Sequence, residues 1–338
     1  MSEDSSPDPR ESPAEDPGTV PVTAEPLHPQ PPTPTPEKKK KRVSELWLRV
    51  ITSAVLVPLI LYVIAIGGLP VLAVVLCFIL LGMREFYHLI ENRGAQPHVG
   101  LGLAAGAAVA FLAYFGSENL AMLLMTALLL ALMIAQLRKA QIHEALSSIS
   151  GTFFGVFYVG WLLSHAIVLR QFYDAAISRY SIEDVLEAGY VPDSGAFFLV
   201  FTLAVVVLCD AGAYFAGRRF GRRKLAPKVS PGKTVEGALG GLVVGMLGGV
   251  GVKGLFDFLW PELSAAFSWQ QVLPFALVLS VVGIVGDLVE SLLKRDAEVK
   301  DAGSLLPGMG GVLDRIDAPL LAFPAMYYML LGSLYLRI

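Results

Sequence analysis

The sequence predicts an all-α polytopic membrane protein with about nine transmembrane helices, and three observations carry that prediction. Of 338 residues, 54% are hydrophobic and only 16% are charged, where a soluble domain carries about a quarter charged. Mean hydropathy is +0.61. The charges are also segregated, gathering in blocks between apolar stretches of roughly 20 residues, the length a helix needs to cross hydrocarbon. With charge so distributed, the formal net charge of -3 says little about partners.

The first 42 residues are a different material. Half of the chain's 22 prolines fall between Pro7 and Pro36, among Ser, Thr, Asp and Glu. Such a segment cannot bury enough apolar surface to order itself, and it lacks the apolar centre of a secretory signal peptide. It reads as a disordered cytoplasmic tail ending in the basic run Lys38–Arg42. Residues 43–338 form the transmembrane domain, with a polar-loop-bearing C-terminal part at about 196–338.

The predicted spans are 46–68, 69–84, 100–116, 119–136, 149–169, 196–216, 236–256, 270–289 and 317–336. The first two meet at Gly67-Gly68-Leu69-Pro70, a natural hairpin turn. The third and seventh are rich in glycine and alanine. Small residues let transmembrane backbones approach closely, so both are expected inside the bundle. Cys77 and Cys209 lie far apart in apolar runs and read as small packing residues.

Basic loops stay cytoplasmic. The Lys38–Arg42 run places the N-terminus inside, and counting crossings then puts loops 84–99, 137–148, 217–235 and 290–316 inside as well. Those loops hold most of the remaining basic residues, seven of them in 217–235. Loop 170–195, on the other side, is acidic. The two most polar loops, 217–235 and 290–316, therefore share one face and could build one site there.

At the end of the eighth span Asp287, Glu290, Ser291 and Lys294 follow i, i+3, i+4, i+7 and share a helical face. Ionisable groups at a membrane edge are costly unless paired or used. A purely structural account of this face is a Glu290–Lys294 salt bridge; the functional account is a metal or phosphate site. Lys300-Asp301 follows, then a turn containing Gly308, Gly310 and Gly311, then Asp314-Arg315-Ile316-Asp317. Glycines let backbone amides approach a ligand, and a helix start behind them favours anions. Asp317 and Pro319 resemble that helix start. Carboxylates suit magnesium, which is held by one or two of them plus substrate phosphates. Lys294, Arg295, Lys300 and Arg315 suit phosphate oxygens.

The other polar loop opens at Asp210, which shares a face with Tyr214 and Gly217 near the end of the sixth span. The arginines that follow are explained by topology and headgroup contact. The string Ser230-Pro-Gly-Lys-Thr-Val-Glu-Gly237 is more specific. It is not a P-loop, because the required first glycine falls at Pro227 and no strand of a soluble sheet precedes it. Lys233 and the hydroxyls of Ser230 and Thr234 still suit phosphate.

Together these strings resemble the phosphatidate cytidylyltransferases, the CDP-diacylglycerol synthases. The long family pattern S-x-x-K-R-x4-K-D-x5-P-G-H-G-G-x-x-D-R-x-D is met by Ser291, Lys294, Arg295, Lys300, Asp301, Pro307, Gly308, Gly310, Gly311, Asp314, Arg315 and Asp317. The shorter S-P-x-K-T-x-E-G element is met at Ser230, Pro231, Lys233, Thr234, Glu236 and Gly237. The resemblance covers residues 45–338 and leaves out the Pro-rich tail.

It implies a magnesium-dependent nucleotidyltransferase that joins CTP to phosphatidate, releases pyrophosphate and forms CDP-diacylglycerol. Asp287 and Asp314 would hold magnesium, with Asp210 and Asp317 supporting them or a second cation such as K+. Lys294, Arg295, Lys300 and Arg315 would neutralise phosphates. Ser230, Lys233, Thr234 and Glu236 would bind nucleotide or order the loop that does, and Ser291, Asp301, Gly308, Gly310 and Gly311 complete the substrate site. The resemblance further implies a homodimer in a bacterial inner membrane, an active site facing the cytoplasm, and no nucleic-acid partner.

One position departs from the pattern, since the family's histidine is Met309 here. Methionine cannot exchange a proton. A phosphate monoester is already largely ionised near neutral pH, its second pKa being about 6, so no general base is needed to create the nucleophile. The alternatives are a catalytically degenerate homologue and a polytopic transporter. A transporter should show internal repeats and mid-depth acids, and the sequence shows no clear repeat. A CDP-alcohol phosphotransferase would need a different aspartate spacing from the one that follows Asp210.

Overall fold

The computed structural model describes residues 52, 54–139, 144–303 and 310–337. The Pro-rich tail with its basic end, the start of the first predicted span, and Pro307, Gly308 and Met309 lie outside the described residues. What is described is an all-α membrane protein. Among the described residues, seven helices are long and apolar enough to cross a bilayer, and two more are apolar but shorter.

In chain order the helices are α1 (Ala54–Ile66), α2 (Gly68–Asn92), α3 (Val99–Tyr114), α4 (Glu118–Leu137), α5 (Ala145–Arg170), the short α6 (Phe172–Ile177) and α7 (Ile182–Glu187), then α8 (Ser194–Phe220), α9 (Val235–Leu259), the one-turn α10 (Pro261–Ser264), α11 (Trp269–Asp296) and α12 (Leu313–Tyr335). Seven of the predicted spans fall on helices of crossing length; the third falls on the shorter α3, and the first is described only over α1. The shorter two are α1 and α3. Residues 156–161 of α5 wind as a π-helix.

The α1–α2 turn forms as the glycines suggested. Gly67 and Gly68 have φ of 72° and 56°, a region that favours glycine. Arg170, buried at the end of α5, fixes the turn. Its Nε donates to the Ile64 carbonyl at 2.8 Å and its Nη2 to Asp193 at 2.8 Å, so the last carbonyls of α1 gain a cationic cap.

Helix α12 lies at the centre of the bundle, packed against α2, α5, α8 and α11. At the end of the bundle away from the polar loops, Phe197, Phe198, Phe201 and Phe267 make a buried aromatic cluster with ring centroids 5.1–6.2 Å apart. In α9, Gly237, Gly241, Gly245 and Gly249 are buried at a spacing of four and form a small-residue stripe against α8 and α11. Its other face, with Leu239, Val243 and Leu247, is exposed. The expectation that this span sits inside the bundle is corrected accordingly, because only the glycine face docks and the leucine face is left uncovered.

The polar loop after α8 contains strand, which an all-helical reading does not foresee. β1 (Lys224–Ala226) and β2 (Ser230–Thr234) pair antiparallel, Lys224 opposite Thr234 and Ala226 opposite Ser230. The SPGKT string is thus a strand leading into α9, whose first turn Thr234 caps by accepting from the Gly237 amide at 3.1 Å.

Candidate active site

The two polar loops and the ends of α8, α11 and α12 enclose one cavity of about 700 Å³. Its lining includes Asp210, Tyr214, Gly217 and Arg218 from α8, Ser230, Lys233 and Thr234 from β2, Asp287 and Lys294 from α11, and Asp301, Asp314, Arg315 and Asp317. Ten of the site residues expected from sequence are therefore brought together.

The α11 face is as predicted, and its ion pairs reach beyond the helix. Lys294 Nζ lies 2.6 Å from Glu290 and 2.8 Å from Asp314 Oδ1. Lys233 pairs with Asp287, joining β2 to α11 across the cavity. Ser291 donates to Asp287 Oδ1 at 3.4 Å. Asp314 is held from several sides, since its carboxylate also accepts from the amides of Gly311 at 2.8 Å and Ala302 at 3.3 Å.

The carboxylates close enough to share one cation are Asp287, Glu290 and Asp317, with one oxygen from each within 4.8 Å of the others. Glu290 is fully buried, and neither of its oxygens has a hydrogen-bond donor beyond the Lys294 ion pair. Five acids line the cavity against four bases, and both lysines are already engaged with carboxylates. An all-oxygen set with excess negative charge, one of its carboxylates fully buried, fits a hard divalent cation such as magnesium.

Other predicted site residues stand differently. Glu236 accepts from the amides of Arg222 and Arg223 at 2.9 and 3.1 Å, so it orders the loop rather than facing the cavity. Arg295 is exposed and donates to the Val229 carbonyl at 3.3 Å, tying α11 to the hairpin. Lys300 is exposed and does not line the cavity. Gly310 takes φ 87°, and Gly308 lies outside the described residues.

The helix behind the glycine turn begins earlier than expected. It starts at Leu313, and Asp317 and Pro319 lie inside it. Asp317 Oδ1 accepts from the adjacent Ala318 amide at 2.8 Å. The amides of Val312 and Leu313 are already taken by Glu85, so this helix start serves an internal carboxylate and is not an open anion site. Glu85 and the cation-sharing place of Glu290 were missed by sequence reasoning. A carboxylate at the end of an apolar span was the available signal for Glu85.

A second, apolar cleft of about 440 Å³ meets the polar cavity. It runs between α1, α2, α5, α8 and α12, past Ile60, Val75, Phe78, Leu199, Leu203 and Phe323. Asp210, Asp314, Arg315 and Asp317 line both spaces.

The model of the cytidylyltransferase family matches residues 47–332. A phosphatidate cytidylyltransferase of Synechocystis is 32% identical over 303 residues, covering 83% of this chain and 94% of that one. Phosphatidate cytidylyltransferases of Haemophilus influenzae and Bacillus subtilis are 43% and 41% identical over 40% of this chain, which is 46% and 48% of their own lengths.

Proposed function

Because the chain belongs to the cytidylyltransferase family, we propose that it transfers the cytidylyl group of CTP to phosphatidate, releasing pyrophosphate and leaving CDP-diacylglycerol. The observation that carries this reading is the shared wall between a charged cavity and an apolar cleft. A substrate pair of one nucleotide and one two-tailed lipid phosphate needs that combination.

In this reading the acyl chains lie in the apolar cleft and the lipid phosphate reaches Arg315, which lines both spaces and whose forked donors suit phosphate. The nucleotide occupies the polar cavity beside the β1–β2 hairpin. The lipid phosphate attacks the α-phosphorus of CTP. Its second pKa of about 6 leaves it ionised near neutral pH, so no residue has to remove a proton. Lys233 and Lys294 offset the charge that gathers as two anions approach. Asp287, Glu290 and Asp317 would hold magnesium, with Asp314 and Asp210 beside them. Magnesium held there would supply positive charge to offset that on the leaving pyrophosphate. Met309 is compatible with this chemistry because no general base is required.

The basic loops orient the site and the N-terminus toward the cytoplasm, in a bacterial inner membrane, and a homodimer belongs to the same reading. The test is release of pyrophosphate from radiolabelled CTP by detergent-purified protein, with and without phosphatidate and magnesium. Lipid- and magnesium-dependent release is expected. Release that ignores phosphatidate would sink the assignment.

A further inference from the structure

Glu85 stands outside the cavity, on α2, yet it touches the element that supplies two of the cavity's carboxylates. It is 7% exposed. Its Oε1 accepts from the Val312 amide at 3.0 Å and its Oε2 from the Leu313 amide at 2.8 Å, across a separation of 227 and 228 residues. Those amides open α12 and have no partner within the helix. A carboxylate there also meets the positive end of the helix dipole.

The fit around it is close. A Cβ at Gly311 would lie 2.6 Å from Glu85 Oε2 and 2.7 Å from the Gly303 nitrogen. A Cβ at Gly303 would lie 2.6 Å from the Glu85 Cδ. Both backbones that flank the 304–309 segment thus press on one carboxylate, and at Gly311 a side chain would meet the Gly303 backbone as well. One residue after Leu313 comes Asp314, held by Lys294, Gly311 and Ala302; one turn later comes Asp317, in the cation-sharing cluster.

We infer that Glu85 is a positioning residue for the reaction: by clamping the first amides of α12 it sets Asp314 and Asp317 against Asp287, Glu290 and Lys294 of α11. This deepens the proposed function and rests on it only for the turnover assay. Glu85→Gln keeps the volume but turns an NH2 toward one amide; Glu85→Ala removes both acceptors.

Partners that orient metal-binding groups cost roughly 10- to 100-fold in affinity or activity when lost. Two readouts follow, both on folded protein isolated by gel filtration in detergent. Manganese alone, titrated into the apo protein, should bind at least about tenfold more weakly in Glu85→Ala, with Glu85→Gln between it and wild type. With CTP and phosphatidate, kcat should fall in the same order while the KM for CTP stays within about twofold, a split that mere loss of folded protein would not give. Wild-type manganese affinity and kcat in the folded fraction of both variants would overturn the inference, as would wild-type protein that takes up no manganese. If wild type binds manganese but ignores phosphatidate, the proposed function fails, and the manganese series still decides the role of Glu85.

Discussion

Replacing Lys294 by methionine tests the electrostatics of the cavity most directly. The ammonium lies 2.6 Å from Glu290 and 2.8 Å from Asp314, and the three side chains are 15%, 1% and 10% exposed. Methionine preserves most of the packing and removes the charge. Breaking a buried pair by deleting one partner costs about 3–5 kcal/mol, because the remaining charge is left uncompensated. Here two carboxylates are left, beside Asp287 and Asp317. Lys294→Met should therefore lower the unfolding free energy by about 3 kcal/mol or more, read from denaturant unfolding of purified protein in detergent, and should abolish lipid-dependent pyrophosphate release. The double variant with Glu290→Gln removes the more deeply buried of the two stranded charges, so it should recover part of the stability while turnover stays lost. A single variant within about 1 kcal/mol of wild type would refute the reasoning, since that is the scale of an exposed pair. So would a double variant no more stable than the single.

Asp287→Asn and Asp317→Asn should each remove turnover and weaken manganese binding while gel filtration and helicity stay unchanged; full activity in both would end the cation assignment. Leu203→Trp, which fills the apolar cleft, should raise the apparent KM for phosphatidate several-fold and leave that for CTP unaltered. Arg170→Met should destabilise the protein by about 1–3 kcal/mol, since the Ile64 and Ala65 carbonyls lose their donor while Asp193, 67% exposed, is left in water, yet turnover per folded molecule should hold, because Arg170 does not line the cavity. Chelation with EDTA should stop pyrophosphate release reversibly, with activity restored by added magnesium.

The parts of this structure that were legible in the sequence are those set by short-range rules. An apolar window of bilayer length reads as a helix without knowledge of its neighbours, and a helical period fixes which side chains share a face. So seven of the spans, the Gly67–Gly68 turn and the Asp287–Glu290–Lys294 face stand where they were expected. What long-range contacts decide was not legible. The β1–β2 hairpin joins two short strands, one containing Pro231 and Gly232, of low strand preference, and Glu236 holds the amides of Arg222 and Arg223 just before it. The start of α12 moves to Leu313 because a carboxylate more than 220 residues away takes its first amides. Glycine content placed α9 inside the bundle, while only its glycine face is covered.

The wall shared by the apolar cleft and the polar cavity has a consequence for how the two substrates are counted. One is dissolved in water and meets the protein in three dimensions. The other is confined to a sheet two molecules thick and reaches the same carboxylates sideways. Rates in mixed micelles should then follow the surface mole fraction of the lipid, falling as inert detergent dilutes it, while bulk molarity governs the nucleotide alone.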